Sequence, residues 1–195
     1  MPAPRHQSQS ILLIGATGRS GHEILHQLLA HPTRPVVHVF CREPTKLAPE
    51  YQKRCASVYQ GDARSAKDLK HAIASSDATV VIVAIGDGDN LKKTDTRTAN
   101  AQALAAVMKQ PGMEHVKAVV LSSTGAGPTE IIVGMGIGKL IEHHLRHILK
   151  DHDGQEAAFL DSGLGDRTVI IRPTSLTDGN ATGKIVEFGD KVKSP

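Results

Sequence analysis

The sequence predicts a single α/β domain built on a doubly wound parallel sheet. Short β-branched runs alternate with helical patterns along the chain, which is typical of parallel strands joined by crossover helices. The run ATVVIVAIG at 78–86 is apolar almost throughout, as expected of a strand that helices cover on both faces. The length of 195 residues suits one domain, which would bury roughly 70% of the surface that its unfolded chain exposes.

The strands are predicted from runs rich in Val, Ile and Leu that Gly, Pro or polar clusters bound. A short outer strand is also expected at 184–189, KIVEFG. The six principal strands are expected at 10–14, 35–41, 57–61, 78–86, 117–123 and 167–173.

The helices are predicted from apolar residues that recur every three or four positions. In the first helix one face carries Ile24, Leu25, Leu28 and Leu29. Thr94 or Asp95 is expected to cap the third helix. The five helices are expected at 19–31, 65–75, 94–110, 139–150 and 154–163.

Composition and charge narrow the range of partners and compartments. The net charge is +3 and the Lys and Arg residues are scattered, so we expect no nucleic-acid partner. Cys41 and Cys55 do not make a disulfide framework, which indicates a reducing compartment. MPAPRHQSQS lacks the apolar segment of a secretory signal, and no uncharged apolar run reaches the ~18 residues of a membrane span. The expectation is a cytoplasmic monomer or weak dimer, with a flexible tail over 1–9 and one domain over 10–195.

Three glycines follow the first strand directly, in the run ILLIGATGRSG. Gly15 would allow a tight turn, Gly18 would let the backbone approach a pyrophosphate, and Gly21 would let the helix pack close to the sheet. The free N–H groups and the positive end of the helix dipole would then face the phosphates. A turn chosen for packing alone is the alternative, but the strand–turn–helix context favours a Rossmann-type dinucleotide site. The predicted residues of this turn are Gly15, Thr17, Gly18, Arg19, Ser20 and Gly21.

The end of the second strand indicates which nucleotide binds. An NAD site usually carries an acidic residue there, about 20 residues past the glycines, that holds the ribose 2′-hydroxyl. Here the strand ends in Cys41 and Arg42, and the first acid, Glu43, comes one position late. Arg42 would provide a planar cation for a 2′-phosphate, with Arg19 in reach of the same region, so NADP(H) is favoured over NAD(H). An ordinary solvated charge is the alternative for Arg42.

Asp62, in the run GDARS after the third strand, has two interpretations. Its carboxylate could accept a hydrogen bond from an adenine amino group, or it could cap the helix that begins a few residues later. The sequence leaves both open.

Seven runs spread over 11–178 together resemble those of a known family. They are GATGRSG, VFCREPTKL, GDARS, VVIVAIG, LSSTGAG, QEAAFLDSGL and VIIRPTSLTDG. The family is the atypical short-chain dehydrogenase/reductases, the NAD(P)H-binding group that includes NmrA-like proteins, and within it the biliverdin and flavin reductase branch. The resemblance implies that the segment about Gly86 passes beside the nicotinamide, and that a region at about 125–160 covers the substrate. The further cofactor contacts that it implies are Ala63, Ala84, Ile85, Gly86, Ser122 and Pro173.

The catalytic pair of ordinary short-chain dehydrogenases is missing. Those enzymes use a Ser, a Tyr and a Lys four positions after the Tyr, but neither of the chain's two tyrosines, Tyr51 and Tyr59, has that Lys. Ser122 and Ser123 match the family's serine position, and Ser123 is favoured as a hydrogen-bond partner of the substrate or the nicotinamide. A strand end that caps its own loop is the alternative. His152 stands where relatives place the Lys, either as a proton donor or as an exposed histidine at a helix start.

Two main classes of function fit these residues. The first is an NADPH-dependent reductase of a planar conjugated acceptor (flavin, quinone or biliverdin-like), which needs positioning more than a dedicated acid. The second is a non-catalytic NAD(P)(H) sensor of the NmrA-like type, and a third is an isomerase or dehydratase that uses bound cofactor. No metal site is expected, because His143 and His147 have neither HExxH order nor a third ligand. GMGIGK at 134–139 lacks the spacer of a P-loop.

Overall fold

The computed structural model describes residues 9–88, 90–131, 137–174, 176, 177, 179 and 183. The outer strand expected at 184–189 lies outside these residues. None of the helices in the described part of the chain is long and apolar enough to cross a membrane.

Six parallel strands form one sheet in the order β3-β2-β1-β4-β5-β6, which confirms the predicted doubly wound fold. The chain starts at the centre of the sheet, builds to one side through β3, and returns to the centre at β4. Ile14 of β1 is in register with Val83 of β4, so the carboxyl ends of these two strands lie side by side. The strands are β1 (Ser10–Ile14), β2 (Val36–Cys41), β3 (Ser57–Gln60), β4 (Val80–Val83), β5 (Lys117–Leu121) and β6 (Thr168–Ile171).

Helices connect the strands, and one short helix was not expected from the sequence. A 3-10 turn at Pro44–Lys46 and α2 follow β2 in a segment without a clear apolar period. Both begin at a proline, whose fixed φ suits the first helical position. The helices are α1 (Arg19–Ala30), α2 (Pro49–Arg54), α3 (Ala66–Ser76), α4 (Thr96–Met108) and α5 (Ile137–Leu160).

The sequence predicts separate helices at 139–150 and 154–163, but the structure contains one continuous helix, α5. The prediction was wrong at Gly154, because a glycine inside a helix costs about 1 kcal/mol relative to alanine and resembles a break. Here the glycine has a packing role: a Cβ at Gly154 would collide with the Thr98 hydroxyl of α4. Close packing of α4 on α5 thus overrides the local preference, and most of the region expected to cover the substrate is this helix.

Each face of the sheet carries its own core. Alternate residues of a strand point to opposite faces, so Leu12 of β1 joins a cluster with side chains of α3 and α4, whereas Leu13 joins a cluster with Leu25 of α1. All three leucines are completely buried. At the β6 edge, Val169 and Ile171 are 58% and 47% exposed. The two cores hold β1 and β4 rigidly, and the loops that follow these strands form the candidate site.

Candidate functional site

The turn between β1 and α1 contains three glycines that serve different purposes. Gly15 has a φ of +95°, which L side chains rarely adopt, and a Cβ there would collide with the Ala84 carbonyl after β4. A Cβ on Gly21 would collide with the Gly15 carbonyl. At Gly18 the nearest atom to such a Cβ is the Gly15 oxygen at 3.5 Å, an ordinary contact. The fold therefore requires glycine at two of these positions, whereas Gly18 has open space beside it.

The N-terminus of α1 carries no side-chain cap. Gly18 is its N-cap residue, in an extended conformation, and the first turn contains no acidic residue. The first N–H groups of a helix have no partner within the helix, and they lie at the positive end of the helix dipole. An anionic group such as a pyrophosphate fits this turn.

A cleft of about 320 Å³ runs beside the turn along the carboxyl ends of the strands. It lies between β1 and β4, where the direction of winding reverses and where open α/β sheets usually bind ligands. The predicted cofactor residues that line it are Gly15, Thr17, Gly18, Arg42, Asp62, Ala63, Ala84, Ile85 and Gly86. Its other lining residues are Ile14, Phe40, Cys41, Glu43, Lys46, Arg64, Gly88 and Thr96.

The remaining predicted residues lie outside this lining. Arg19, Ser20 and Gly21 form the first turn of α1. Ser122, Ser123 and Pro173 follow β5 and β6, where the Thr124 N–H donates to the Pro173 carbonyl at 3.0 Å and joins the two strand ends. His152 lies on α5.

Two basic side chains line the end of the cleft that follows β2. Arg42 and Lys46 are both exposed there. Glu43, the acid that comes one position late for a ribose contact, accepts a 2.9 Å hydrogen bond from the Lys46 ammonium. This bond, with the Lys46 charge, lowers the pKa of Glu43 and keeps it a carboxylate directed at Lys46. The arrangement suits a phosphate better than a ribose hydroxyl, and Lys46 is a member of it that the sequence analysis missed.

The capping interpretation of Asp62 is wrong. The N-cap of α3 is Ser65, which directly precedes the helix and whose hydroxyl accepts the Asp68 N–H at 3.2 Å. The Asp62 carboxylate instead accepts the Arg64 N–H at 2.9 Å, and the Asp62 N–H donates to the Asp68 carboxylate at 3.0 Å. Asp62 lines the cleft, and its contact with adenine stays a prediction.

A buried ion pair joins the ends of β5 and β6 to α5. The Glu156 carboxylate, 2% exposed, accepts from Nε and Nη2 of Arg172 at 2.9 and 2.8 Å. The Ser122 hydroxyl donates to the same carboxylate at 2.6 Å. Ser122 is thus bonded into the scaffold, and its contact with the cofactor stays a prediction.

Ser123, the favoured catalytic serine, is half-buried beside this pair. Its hydroxyl donates to the Thr124 carbonyl at 3.0 Å. This bond is the one expected if the end of the strand caps its own loop, which is the alternative interpretation of Ser123. Its contact with a substrate stays a prediction.

His152 is neither exposed nor at a helix start, which corrects one of its two interpretations. It lies inside α5, is 7% exposed, and its Nδ1 lies 3.2 Å from Oε1 of Gln155. The other interpretation, a proton donor, requires a protonated ring. Burial, followed by the positive charge of Arg97, lowers the pKa of His152 to about 4. At neutral pH the imidazole is uncharged.

Of the two residues expected to cap α4, Asp95 does occupy the N-cap position and Thr94 does not. The Asp95 side chain makes no capping bond, however, and pairs with Arg64 at 3.1 Å. The Thr94 hydroxyl donates to the Asp87 carboxylate at 2.7 Å. The carboxylate that caps α4 belongs to Asp151 of α5.

Asp151 is a structural position beside the site that sequence reasoning missed. Its carboxylate accepts the backbone N–H groups of Arg97 and Thr98 at 3.0 and 2.9 Å, and the Thr98 hydroxyl at 2.8 Å. Asp151 is 2% exposed. The one sequence signal for Asp151 is that an acidic residue falls on the buried side of an amphipathic helix. That signal does not indicate which residue the carboxylate binds.

Neither tyrosine lies near the serines. Tyr59 is on β3, which is separated from β5 by β2, β1 and β4. Neighbouring strands lie about 4.8 Å apart, so the four spacings from β3 to β5 amount to roughly 19 Å. Tyr51 is on α2 and makes an edge contact with the ring of His22 at 4.9 Å. The Tyr/Lys pair of ordinary short-chain dehydrogenases therefore has no counterpart beside Ser123.

Comparison with known proteins points to the same cofactor. A family model described as NAD(P)H-binding matches residues 15–194. The chain is similar to the structure of ChuY, an anaerobilin reductase of Escherichia coli O157:H7, with a TM-score of 0.65 and 21% identity over 89% of this chain and 77% of that one. It is similar to a short-chain dehydrogenase/reductase of Veillonella parvula in complex with NADP, with a TM-score of 0.60 and 18% identity over 84% and 68% of the two chains.

A third similar structure is an NADPH-dependent quinone oxidoreductase of Escherichia coli with NADPH, with a TM-score of 0.59 and 20% identity over 83% and 48% of the two chains. At these identities the likeness shows the fold alone. Among curated proteins, the chain is 24% identical to a sterol-4-alpha-carboxylate 3-dehydrogenase of Candida albicans, over 86% of this chain and 51% of that protein. It is 27% identical to a hybrid PKS-NRPS synthetase of Penicillium citrinum, over 98% of this chain and 5% of that protein. The chain thus spans about half or less of these curated relatives.

Proposed function

Because the chain belongs to the NAD(P)H-binding family, its cofactor is NAD(P)H, and we propose that it uses NADPH to reduce a planar conjugated acceptor such as a flavin, a quinone or a biliverdin-like tetrapyrrole. Two similar structures support the proposal, since one is an anaerobilin reductase and the other an NADPH-dependent quinone oxidoreductase. When bound, NADPH supplies a hydride.

The observation that carries the proposal is the distance of Tyr51 and Tyr59 from the serines after β5. An isolated ketone becomes an alkoxide when it is reduced, and needs a proton at once from a positioned acid. A conjugated acceptor spreads the added charge over its ring system, so it needs mainly to be held in position. A site without the tyrosine suits the second kind of acceptor.

The binding roles follow from the cleft. The N-terminus of α1 and the open side of Gly18 hold the pyrophosphate. Arg42 binds the 2′-phosphate, because a 2.9 Å hydrogen bond from Lys46 engages Glu43, the acid that would otherwise be the candidate for the ribose hydroxyl. This arrangement gives the preference for NADPH over NADH.

The acceptor side is formed by the loop after β5. The Ser123 hydroxyl exchanges its bond to the Thr124 carbonyl, 3.0 Å long, for one to the acceptor or to the nicotinamide amide. The proton that completes the reduction comes from water, because His152 is buried and its pKa of about 4 leaves it unprotonated at neutral pH. His152 then serves as the hydrogen-bond partner of Gln155.

A panel of acceptors tests the proposal. The oxidation of NADPH is followed with riboflavin, menadione and biliverdin, and with cyclohexanone and acetophenone as simple ketones. We expect turnover with at least one planar acceptor and none above background with the ketones. Fast ketone reduction, or oxidation of a secondary alcohol with NADP⁺, would contradict the proposal and require an acid that these residues do not supply.

A non-catalytic NAD(P)(H) sensor is the second candidate. It is favoured by one observation: the hydroxyls of Ser122 and Ser123 both donate to the protein itself, to Glu156 and to Thr124. A sensor would bind NADPH tightly and would oxidise it with none of the acceptors above.

A further inference from the structure

We infer that Arg97 is a binding residue for an anionic group, a carboxylate or a phosphate, carried by the acceptor. The inference rests on the proposed function, because it concerns the acceptor end of the same cleft.

Arg97 lies at the end of the cleft that Gly86 lines. It is the second residue of α4, and its Nη2 lies 2.6 Å from the position that a Cβ on Gly86 would take. Glycine at this position therefore lets the guanidinium approach the end of β4. Gly88 and Thr96, neighbours of Gly86 and Arg97 in the chain, also line the cleft. The Arg97 guanidinium thus lies beside the end of the cleft that Gly86, Gly88 and Thr96 line.

The positive charge of Arg97 is only partly compensated. Its side chain is 11% exposed, and its one ion pair with a described residue is a 3.4 Å contact from Nη1 to Asp151. The Asp151 carboxylate makes shorter bonds to the N-terminus of α4, at 2.8 to 3.0 Å. Nε of Arg97 is buried without a hydrogen-bond partner in the described residues. Nε is thus closed off from the cleft, and Nη2, beside Gly86, is the nitrogen of the guanidinium that an anion in the cleft would reach.

Arg172 shows how a guanidinium of this protein binds an anionic group. Its Nε and Nη2 donate in parallel to the two oxygens of Glu156, at 2.9 and 2.8 Å. A guanidinium binds planar carboxylates and phosphates in this bidentate way. Arg97 places Nη2 beside the cleft, so a carboxylate or phosphate of the acceptor is the ligand that would bind it by a charge-assisted hydrogen bond.

Among the residues that the structure describes, the carboxylates nearest in sequence to Arg97 are engaged elsewhere. Asp87 accepts the hydroxyls of Thr94 and Thr96 at 2.7 and 2.9 Å. Asp95 pairs with Arg64 at 3.1 Å. Neither of these two carboxylates pairs with Arg97, whose ion pair is the 3.4 Å contact to Asp151.

Two pairs of acceptors test the inference, and each pair differs by one anionic group. FMN and riboflavin share one ring system and differ by a phosphate; anthraquinone-2-carboxylate and its carboxamide differ by the charge of a carboxylate. Binding is measured by fluorescence or absorbance titration with NADP⁺ saturating, so that the phosphate of FMN does not enter the cofactor site. We expect the protein to bind the anionic member of at least one pair about tenfold to a hundredfold more tightly, as a charged hydrogen bond provides.

Arg97→Gln should abolish that preference without changing the Kd of the neutral member, and Arg97→Lys should restore part of it. Lys93→Gln, which removes an exposed charge of the same loop, is the matched control and should keep the preference. An unchanged preference in Arg97→Gln would overturn the inference. So would equal losses for the charged and neutral members, or a weaker Kd for NADPH, because these indicate a structural or cofactor role.

The same titrations separate this inference from the proposed function. If Arg97 controls the binding of anionic acceptors but no acceptor is reduced, the reductase proposal fails and the anion site stands. If acceptors are reduced without any charge preference, the reductase stands and the anion site fails.

Discussion

The Asp151 carboxylate, in the middle of α5, accepts both the backbone N–H and the hydroxyl of Thr98, at the start of α4. A residue on one helix thus caps the N-terminus of another. Gly154, one turn further along α5, lets the same threonine approach without a collision. The two helices are therefore held at a fixed distance where α4 begins, beside the end of β4 that forms the cleft.

Replacement of Asp151 should destabilise the fold strongly. Asp151→Ala leaves two backbone N–H groups and the Arg97 cation without their carboxylate in a buried place, a loss of about 3–5 kcal/mol in the free energy of unfolding. Urea unfolding measures it. Asp161→Ala, at an exposed position just after α5, is the control and should stay within about 0.5 kcal/mol of the wild type. Similar values for the two variants would mean that α4 does not depend on the cap.

Two glycines of one turn should separate cofactor binding from folding. Gly18→Val places its side chain in open space, so it should cost no more than about 1 kcal/mol of stability as a poorer N-cap. It should nevertheless abolish NADPH binding in a fluorescence titration, because the side chain fills the space meant for the pyrophosphate. Gly21→Ala should instead act on the fold itself and destabilise the protein by roughly 1–3 kcal/mol through its collision with the Gly15 carbonyl. A folded Gly18→Val protein with unchanged affinity would place the site elsewhere.

Arg42 should determine the choice between the two nicotinamide cofactors. A charge-assisted hydrogen bond contributes about 1.5–3 kcal/mol, so Arg42→Ala should weaken NADPH binding roughly tenfold to a hundredfold and leave NADH almost unchanged. Lys53→Ala, an exposed cation on α2, controls for net charge and should affect neither cofactor. Equal losses of NADPH and NADH affinity in Arg42→Ala would contradict the assignment of the 2′-phosphate.

His152 should make the protein less stable in mild acid. Its pKa falls from 6.5 to about 4 on burial, so between these values the unfolded chain binds more protons than the native protein. The free energy of unfolding must then decrease as the pH is lowered from about 6.5 to 4, by roughly 3 kcal/mol for this group. His152→Gln cannot titrate and should lose correspondingly less stability over the same range. His38, whose pKa burial also lowers, contributes equally to both proteins. Parallel stability curves would show that His152 titrates normally.

The sheet and the glycine turn could be predicted from the sequence because their signals are local. A run such as VVIV indicates a buried strand by itself, and the conformation of Gly15 follows from its place between a strand and a helix. The alternation of strands and helices then restricts the order of the sheet. Arg42 could be found in the same way, since a fixed offset from the turn brings it to the cleft.

The contacts of α5 could not be predicted, because they depend on residues far away in the chain. Asp151 and Thr98 are separated by 53 positions, and no spacing indicates that they meet. The continuity of α5 through Gly154 results from packing against α4, and a helical pattern alone reveals neither this packing nor the burial of His152. The hydrogen bond of Ser122 could not be predicted either, since its partner Glu156 lies on α5.

An anaerobic single-turnover experiment tests the central claim most directly. The protein with one equivalent of NADPH is mixed with riboflavin or menadione in a stopped-flow instrument, with NADPH and NADPH deuterated at C4 in parallel. We predict that one equivalent of NADPH is oxidised for each equivalent of acceptor reduced. We also predict that NADPH with deuterium at the C4 position from which the hydride is transferred is oxidised more slowly than unlabelled NADPH. NADPH that is bound tightly, as its fluorescence reports, but stays unoxidised with every planar acceptor would contradict the reductase and favour the sensor.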